Sequence, residues 1–379
     1  MALNVRKTSM LVISGASLLY AFLALELGLN MLEGQMYNWQ YRTLDWFLGP
    51  GYTEPGLVHY QQLSAGSSLA KLVANHAVFN GIALLLAALQ IMRPVFKISV
   101  RGHRIIGILY SVFLFAGISF SSIYLWSSAP AEVYSGEIFH YALWMLTLST
   151  VFTYFVGMYY LLRGKLLKHK LWMQYHFSWM FSAPLLRALW VFTGAVGGGS
   201  HVANNIASVT LSPLLLSGGM AVAFYLKLGN SGYNETEPFR YAKSYMLIAW
   251  LGLALLLSVD MDLETFQWVP LTAIFCVIAI TFNLYLYWRA FRKKQGARLR
   301  LAALYLRFFA ISPVLVWILI PSHRSYFASE EQVLMGAILS ILGIGMSLCF
   351  FRASFLKKLD LSSVPGPLRR AQFSSLEKA

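Results

Sequence analysis

The chain has 379 residues, of which 58% are hydrophobic and only 12% charged, with a mean hydropathy of +0.60 and a formal net charge of +15. A soluble domain carries about 25% charged residues and about 45–50% apolar ones, so this composition cannot coat a globular surface and excludes a water-soluble enzyme. Two cysteines, Cys276 and Cys349, lie inside apolar runs and leave neither a disulfide framework nor a Cys-rich metal motif.

Apolar runs fall at 9–29, 68–92, 104–126, 138–162, 171–195, 204–226, 242–259, 267–288, 301–320 and 332–351. Each is near the length of a tilted transmembrane helix, about 20 residues. The runs lack a two-residue alternation, and backbone groups in lipid must be satisfied internally, so helices are expected rather than a closed barrel. The expected fold is an all-α polytopic membrane protein with about ten spans.

The first run follows a short basic stretch and lacks a small-residue cleavage pattern, so residues 1–30 read as a retained signal anchor. Residues 31–67 form an extracytoplasmic loop rich in aromatics, with Tyr37, Trp39, Tyr41, Trp46 and Phe47 beside Gly49 and Gly51. Such a loop is either a lid over an outer site or part of the aromatic belt at headgroup depth. Residues 68–227 hold spans two to six as a histidine-bearing core, and 228–352 hold a second bundle of spans seven to ten. The tail from 353 is rich in Pro, Ser and Arg and reads as disordered on the cytoplasmic side.

The charges set the orientation. Twenty-six of the 30 basic residues fall in the N-terminus, the even-to-odd connections and the tail, with only four acids; the other segments hold four basic residues and eleven acids. By the positive-inside rule both termini are cytoplasmic. The +15 thus divides into +22 and −7 and is a topology signal, which argues against nucleic-acid binding.

Ionisable residues inside a membrane are costly and mark function by default. His76 lies on span two, His103 opens span three, His140 starts span four, and His169 and His176 bracket the start of span five. Their depths alternate outer, inner, outer, inner in an up-and-down bundle. His76 with His140, and His103 with His176, are then expected as two bis-histidine pairs, with His169 competing for the inner position. Imidazole is a good axial ligand of haem iron, and bundle cores are where such sites are built. Packing or headgroup roles are the mundane alternative for each ring, and His59, His201 and His323 read as interface residues. Arg187, eleven residues past His176 on span five, needs a counter-charge such as a haem propionate, Glu26, Glu132 or Glu137.

Three segments carry a resemblance. They are His76, Gln90 and Arg93; then HRIIGILY with His103, Arg104, Gly107 and Tyr110; then KHKLWM with His169, Trp172 and Met173, followed by Arg187. Together they resemble a bacterial family of multi-span membrane proteins carrying a domain of unknown function, over about a third of the chain. That family usually has an arginine where this chain has Gln174. The resemblance singles out His76, His103 and His169, whereas the depth pattern prefers His140 and His176. The arrangement of histidines on four successive spans is also similar to the ascorbate-reducible b-type cytochromes, whose haems are held between alternate helices.

The leading expectation is a bacterial inner-membrane electron-transfer protein or oxidoreductase holding haem b. Arg104 or Arg187 would sit near the propionates, and a quinone or small reductant would be the partner. The rival is a haem-free transporter or small-molecule binder whose histidines and Arg187 line a polar cavity. A third class is an accessory subunit docking a partner through its aromatic loop.

Overall fold

The computed structural model describes residues 5–35, 39–62, 67–197, 200–227, 247, 251, 269–327 and 329–354. Among them every regular element is helical. The helices are α1 (Val5–Leu32), α2 (Trp39–Leu48), α3 (Glu54–Gln62), α4 (Ser68–Ile91), α5 (Arg93–Phe96), α6 (Val100–Ser127) and α7 (Gly136–Leu162). They continue as α8 (Leu166–Met180), α9 (Ser182–Gly197), α10 (His201–Lys227), α11 (Val269–Arg292), α12 (Gly296–Arg324), α13 (Glu330–Ser340) and α14 (Met346–Ser354). A π-helical turn, Ile341–Gly345, joins the last two. Seven stretches of described helix are long and apolar enough to cross a membrane: Leu11–Leu32, Ser68–Ile91, Val100–Ser127, Gly136–Leu162, His201–Tyr225, Arg298–Arg324 and Gln332–Ser354.

Two expectations change. The fifth span is broken: α8 ends at Met180 and α9 begins at Ser182. Pro184 has no N–H to donate to the Met180 carbonyl, which accounts for the interruption. The long aromatic loop is largely helical, containing α2 and α3. The seventh expected span, 242–259, and the tail lie outside the described residues apart from Leu247, Leu251, Ala353 and Ser354.

The chain divides into two compact units, Met1–Val151 with His176–Ser212, and Phe152–Tyr175 with Pro213–Ala379. The boundaries between these units cut α7, α8 and α10.

In the first unit α1, α4 and α6 pack side by side through small residues. Hydrophobicity does not drive helices together in lipid, so close backbone approach and dense van der Waals contact do. A Cβ on Gly28 would lie 2.6 Å from Val78 Cγ2 and 2.7 Å from the Ala74 carbonyl oxygen, and one on Gly81 would lie 3.1 Å from the Ala21 carbonyl. Gly117 admits the Asn80 side chain, whose Oδ1 would meet a Cβ at 2.4 Å. Ser67 and Ser99 cap α4 and α6 by accepting the Ala70 and Gly102 N–H groups at 3.1 and 3.0 Å. At one end of this unit, both carboxylate oxygens of Glu26 lie 3.2 Å from the Trp39 N–H at the start of α2. The negative charge suits a helix N-terminus. Asp45 accepts from the backbone N–H and hydroxyl of Thr53, both at 2.9 Å, and so ties α2 to α3.

In the second unit an aromatic cluster joins α8, α10 and α14. The Tyr175 and Phe350 ring centres are 4.3 Å apart, Trp172 and Phe350 5.2 Å, and Phe224 and Phe350 5.6 Å. The Tyr175 hydroxyl bonds those of Ser217 and Ser347 at 3.1 and 2.9 Å. Val316, Leu334, Ala337 and Ile341 form a second core. Gly345, at the end of the π turn, makes room for Phe308, whose Cε2 would lie 2.7 Å from a Cβ there.

Candidate functional site

The histidines of the first unit meet α6 at successive levels. His176 donates its Nδ1–H to the Thr150 carbonyl at 3.0 Å, and its Nε2 then accepts from the Tyr110 hydroxyl. His76 donates from Nδ1 to the Gly117 carbonyl at 3.1 Å, with the Asn80 amide 2.9 Å from the same nitrogen. His140 donates from Nε2 to the Leu125 carbonyl at 2.9 Å. A carbonyl can only accept, which fixes the proton-bearing nitrogen in each case. His103 lies in the first turn of α6, its carbonyl accepting from Gln90 Nε2 at 2.8 Å. The contacts at Tyr110, Gly117 and Leu125 are thus spaced by about 10 Å and about 12 Å along α6, at 1.5 Å per residue.

This spacing decides how well the expected haem ligands fit. His76 and His140 are anchored about 12 Å apart along one helix, and His140 has committed its Nε2 proton to Leu125. His176 reaches α6 at Tyr110, two turns beyond His103, and its Nε2 is already bonded. Neither expected pair is brought to a common level, so the residues as arranged do not fit two bis-histidine haems. His169 lies in the second unit and donates from Nδ1 to the Gly157 carbonyl at 2.9 Å. Arg104, expected near a propionate, is exposed near the start of α6. Among the described residues no group of three or more His, Cys, Asp or Glu side chains is arranged to hold a metal ion.

Arg187 occupies the centre of a different constellation. It lies on α9, ten residues before the helix ends at Gly197, hence about 15 Å of helix from that end. Its guanidinium carbon is 4.6 Å from the Trp190 ring centre and 5.2 Å from that of Tyr20. Its Nε is buried with no hydrogen-bond partner. The counter-charges expected for it do not materialise. Glu26 caps α2, Glu132 accepts the Ala129 N–H at 3.1 Å, and no carboxylate pairs with Arg187 among the described residues. Its positive charge acts on both His76 and His201.

His201, expected at an interface, is 2% exposed at the first turn of α10. Its ring stands 4.8 Å from Trp190 and 5.2 Å from Tyr52, centre to centre. Nδ1 is hydrogen-bonded to the Tyr134 hydroxyl, while Nε2 is buried without a partner. Around it, Trp190 Nε1–H donates to Asn205 Oδ1 at 2.9 Å, Asn205 Nδ2 to Ser135 at 2.8 Å, and Asn204 Nδ2 to the Tyr52 hydroxyl at 2.7 Å. Asn204, Asn205, Thr193 and Ser208 are all buried. Gly56 of α3 packs on the His201 ring, where a Cβ would stand 3.4 Å from Cε1, and Leu48 of α2 packs on Gly194. Helices α2 and α3 therefore cover this end of the cluster. His323, also expected at an interface, is buried in the second unit and bonds Ser340 Oγ at 3.1 Å.

The signal for this cluster was present in the sequence. His201, Asn204, Asn205, Ser208 and Ser212 recur at helical spacing along an otherwise apolar span, which places them on one face.

Fold and site together define a multi-pass helical membrane protein with a buried polar cluster around an arginine that has no counter-ion among the described residues. No family model, curated protein or solved structure matches the chain.

Proposed function

We propose that the protein is a haem-free membrane transporter or small-molecule-binding protein whose Arg187 receives an anion. The observation that carries this reading is the buried, unpartnered Nε of Arg187 in a cluster of neutral polar side chains without a pairing carboxylate. An arginine at the centre of a membrane helix costs about 2.5–3.5 kcal/mol on insertion scales, and more when it cannot reach water. An anionic ligand would offset that cost and complete the hydrogen bonding. A broken span beside the site is in keeping with transporters, where discontinuous helices line the binding position.

In this reading the chain has ten spans in a bacterial inner membrane with both ends cytoplasmic, as the distribution of basic residues supports. Helices α2 and α3 then lie on the outer side above the site. The test is thermal unfolding of the purified full-length chain in detergent, with and without acetate or inorganic phosphate at matched ionic strength. Stabilisation of the wild type that is absent in Arg187→Gln supports the proposal, and equal behaviour of the two proteins sinks it.

A b-type haem electron carrier is the second reading. It draws on the Nδ1–H bonds of His76 and His169 to backbone carbonyls, the outer-shell pattern that leaves an Nε2 lone pair for a metal. It requires these rings to find partners other than those expected from their depths. A dithionite-reduced minus oxidised visible spectrum of protein produced with ample haem decides it.

A further inference from the structure

Arg187 and His201 present two buried polar atoms without partners, Nε and Nε2, on groups that both pack against the Trp190 indole. The guanidinium carbon is 4.6 Å from the Trp190 ring centre and the His201 ring is 4.8 Å from it, so the two groups lie within about 9.4 Å of each other. That separation is within the reach of one small molecule. We infer that the ligand of the Arg187 site is a small monocarboxylate bearing a hydroxyl group, the carboxylate meeting Arg187 and the hydroxyl meeting Nε2 of His201. The inference rests on the anion-site reading above and names its ligand class.

Charge limits the ligand to one negative unit. Arg187 is the one arginine or lysine of the cluster formed by Tyr20, His76, Trp190, Thr193, His201, Asn204, Asn205 and Ser208. The charge of Asp45 also acts on His201, while its Oδ1 accepts from Thr53. A dicarboxylate or phosphate dianion would leave uncompensated negative charge in a low-dielectric setting, where unpaired charge is most costly. A carboxylate also matches the planar fork of a guanidinium better than a spherical ion does.

The hydroxyl follows from His201. If the Tyr134 hydroxyl donates to Nδ1, Nε2 carries a proton and seeks an acceptor; if Tyr134 accepts, Nε2 is a lone pair and seeks a donor. A hydroxyl serves as either, whereas a methyl group satisfies neither. Trp190 packs against both groups as an apolar neighbour, and its own N–H is already committed to Asn205.

The test uses the purified full-length chain and four probes at equal ionic strength: lactate, propionate, succinate and inorganic phosphate. Titrations followed by thermal unfolding should give lactate binding about tenfold tighter than propionate, the worth of one hydrogen bond to a buried group. Succinate and phosphate should shift unfolding no more than a sodium chloride control. In Arg187→Gln both monocarboxylate effects disappear, and in His201→Phe lactate falls to the level of propionate. The lactate–propionate ratio in the wild type tests the hydroxyl contact even where His201→Phe does not fold. Equal binding of the two acids overturns the inference. Tighter binding of succinate or phosphate that depends on Arg187 also overturns it while leaving the anion reading standing. No anion effect at all overturns both.

Discussion

The guanidinium carbon of Arg187 lies 4.6 Å from the ring centre of Trp190, one turn further along α9. This contact, with the one to Tyr20, holds the charge among aromatic rings inside the first unit. The attraction is that of a cation for the negative face of a π system, worth about 2 kcal/mol or more when water is excluded.

Arg187→Lys should therefore not be conservative. Lysine keeps the charge but lacks the planar group that stacks on an indole. The variant should unfold several degrees below the wild type in detergent. Trp190→Leu, which removes the ring and the Asn205 hydrogen bond, should be at least as damaging. Differential scanning fluorimetry on matched samples reads both.

The close crossing of α1 and α4 depends on Gly28. An alanine Cβ there would press on the Ala74 carbonyl at 2.7 Å, a backbone atom that cannot rotate away. Gly28→Ala should cost about 1–3 kcal/mol from overpacking. Gly15→Ala on the same helix, where a Cβ meets nothing within 4 Å, should be neutral or stabilising because alanine is the better helix former. Parallel unfolding curves of the two variants separate packing from propensity.

Tyr110→Phe removes the hydroxyl bonded to Nε2 of the buried His176. The expected loss is about 1–3 kcal/mol. Tyr159→Phe, at an exposed ring, provides the control and should unfold like the wild type.

Acid should loosen the α2–α3 cover. Half-buried His59 packs on Tyr134, ring centres 5.4 Å apart, and burial holds its pKa below the ordinary value of 6.5. For a histidine with a depressed folded pKa, the unfolded form takes up the proton first as pH falls. The contribution of His59 is complete above pH 6.5 and is lost below it, down to the folded pKa. His59→Phe should flatten the fall in melting temperature as the pH drops below about 6.5. Limited proteolysis across residues 39–62 should show the same reduced acid sensitivity.

Several parts of this structure were legible one residue at a time. The long helices begin and end close to the apolar runs, since a stretch of about 20 residues without regular polar interruption has few alternatives in lipid. Arg187 stood out as a charge where charge is costly. The break after Met180 was also written locally, in Pro184. The helices inside the aromatic loop were less visible because α2 and α3 are short, and short helices draw their stability from what they pack against.

By itself, then, the sequence determined that this is a helical membrane protein, which side chains are anomalous there, and how its charges are distributed between loops. Those properties follow from the transfer free energies of individual residues and from composition. Only the tertiary structure decided which anomalous residues meet. Three of the four histidines at paired depths, His76, His140 and His176, became a ladder along α6, because each ring reached a carbonyl or hydroxyl at its own level rather than another ring. His201, which read as an interface residue, became buried beside Trp190 because α2, α3 and α9 close over it. Partner choice of this kind depends on helix rotation and tilt, set by close contacts such as Gly28 on Ala74 and Gly117 on Asn80. No count of residues along a single span contains that information.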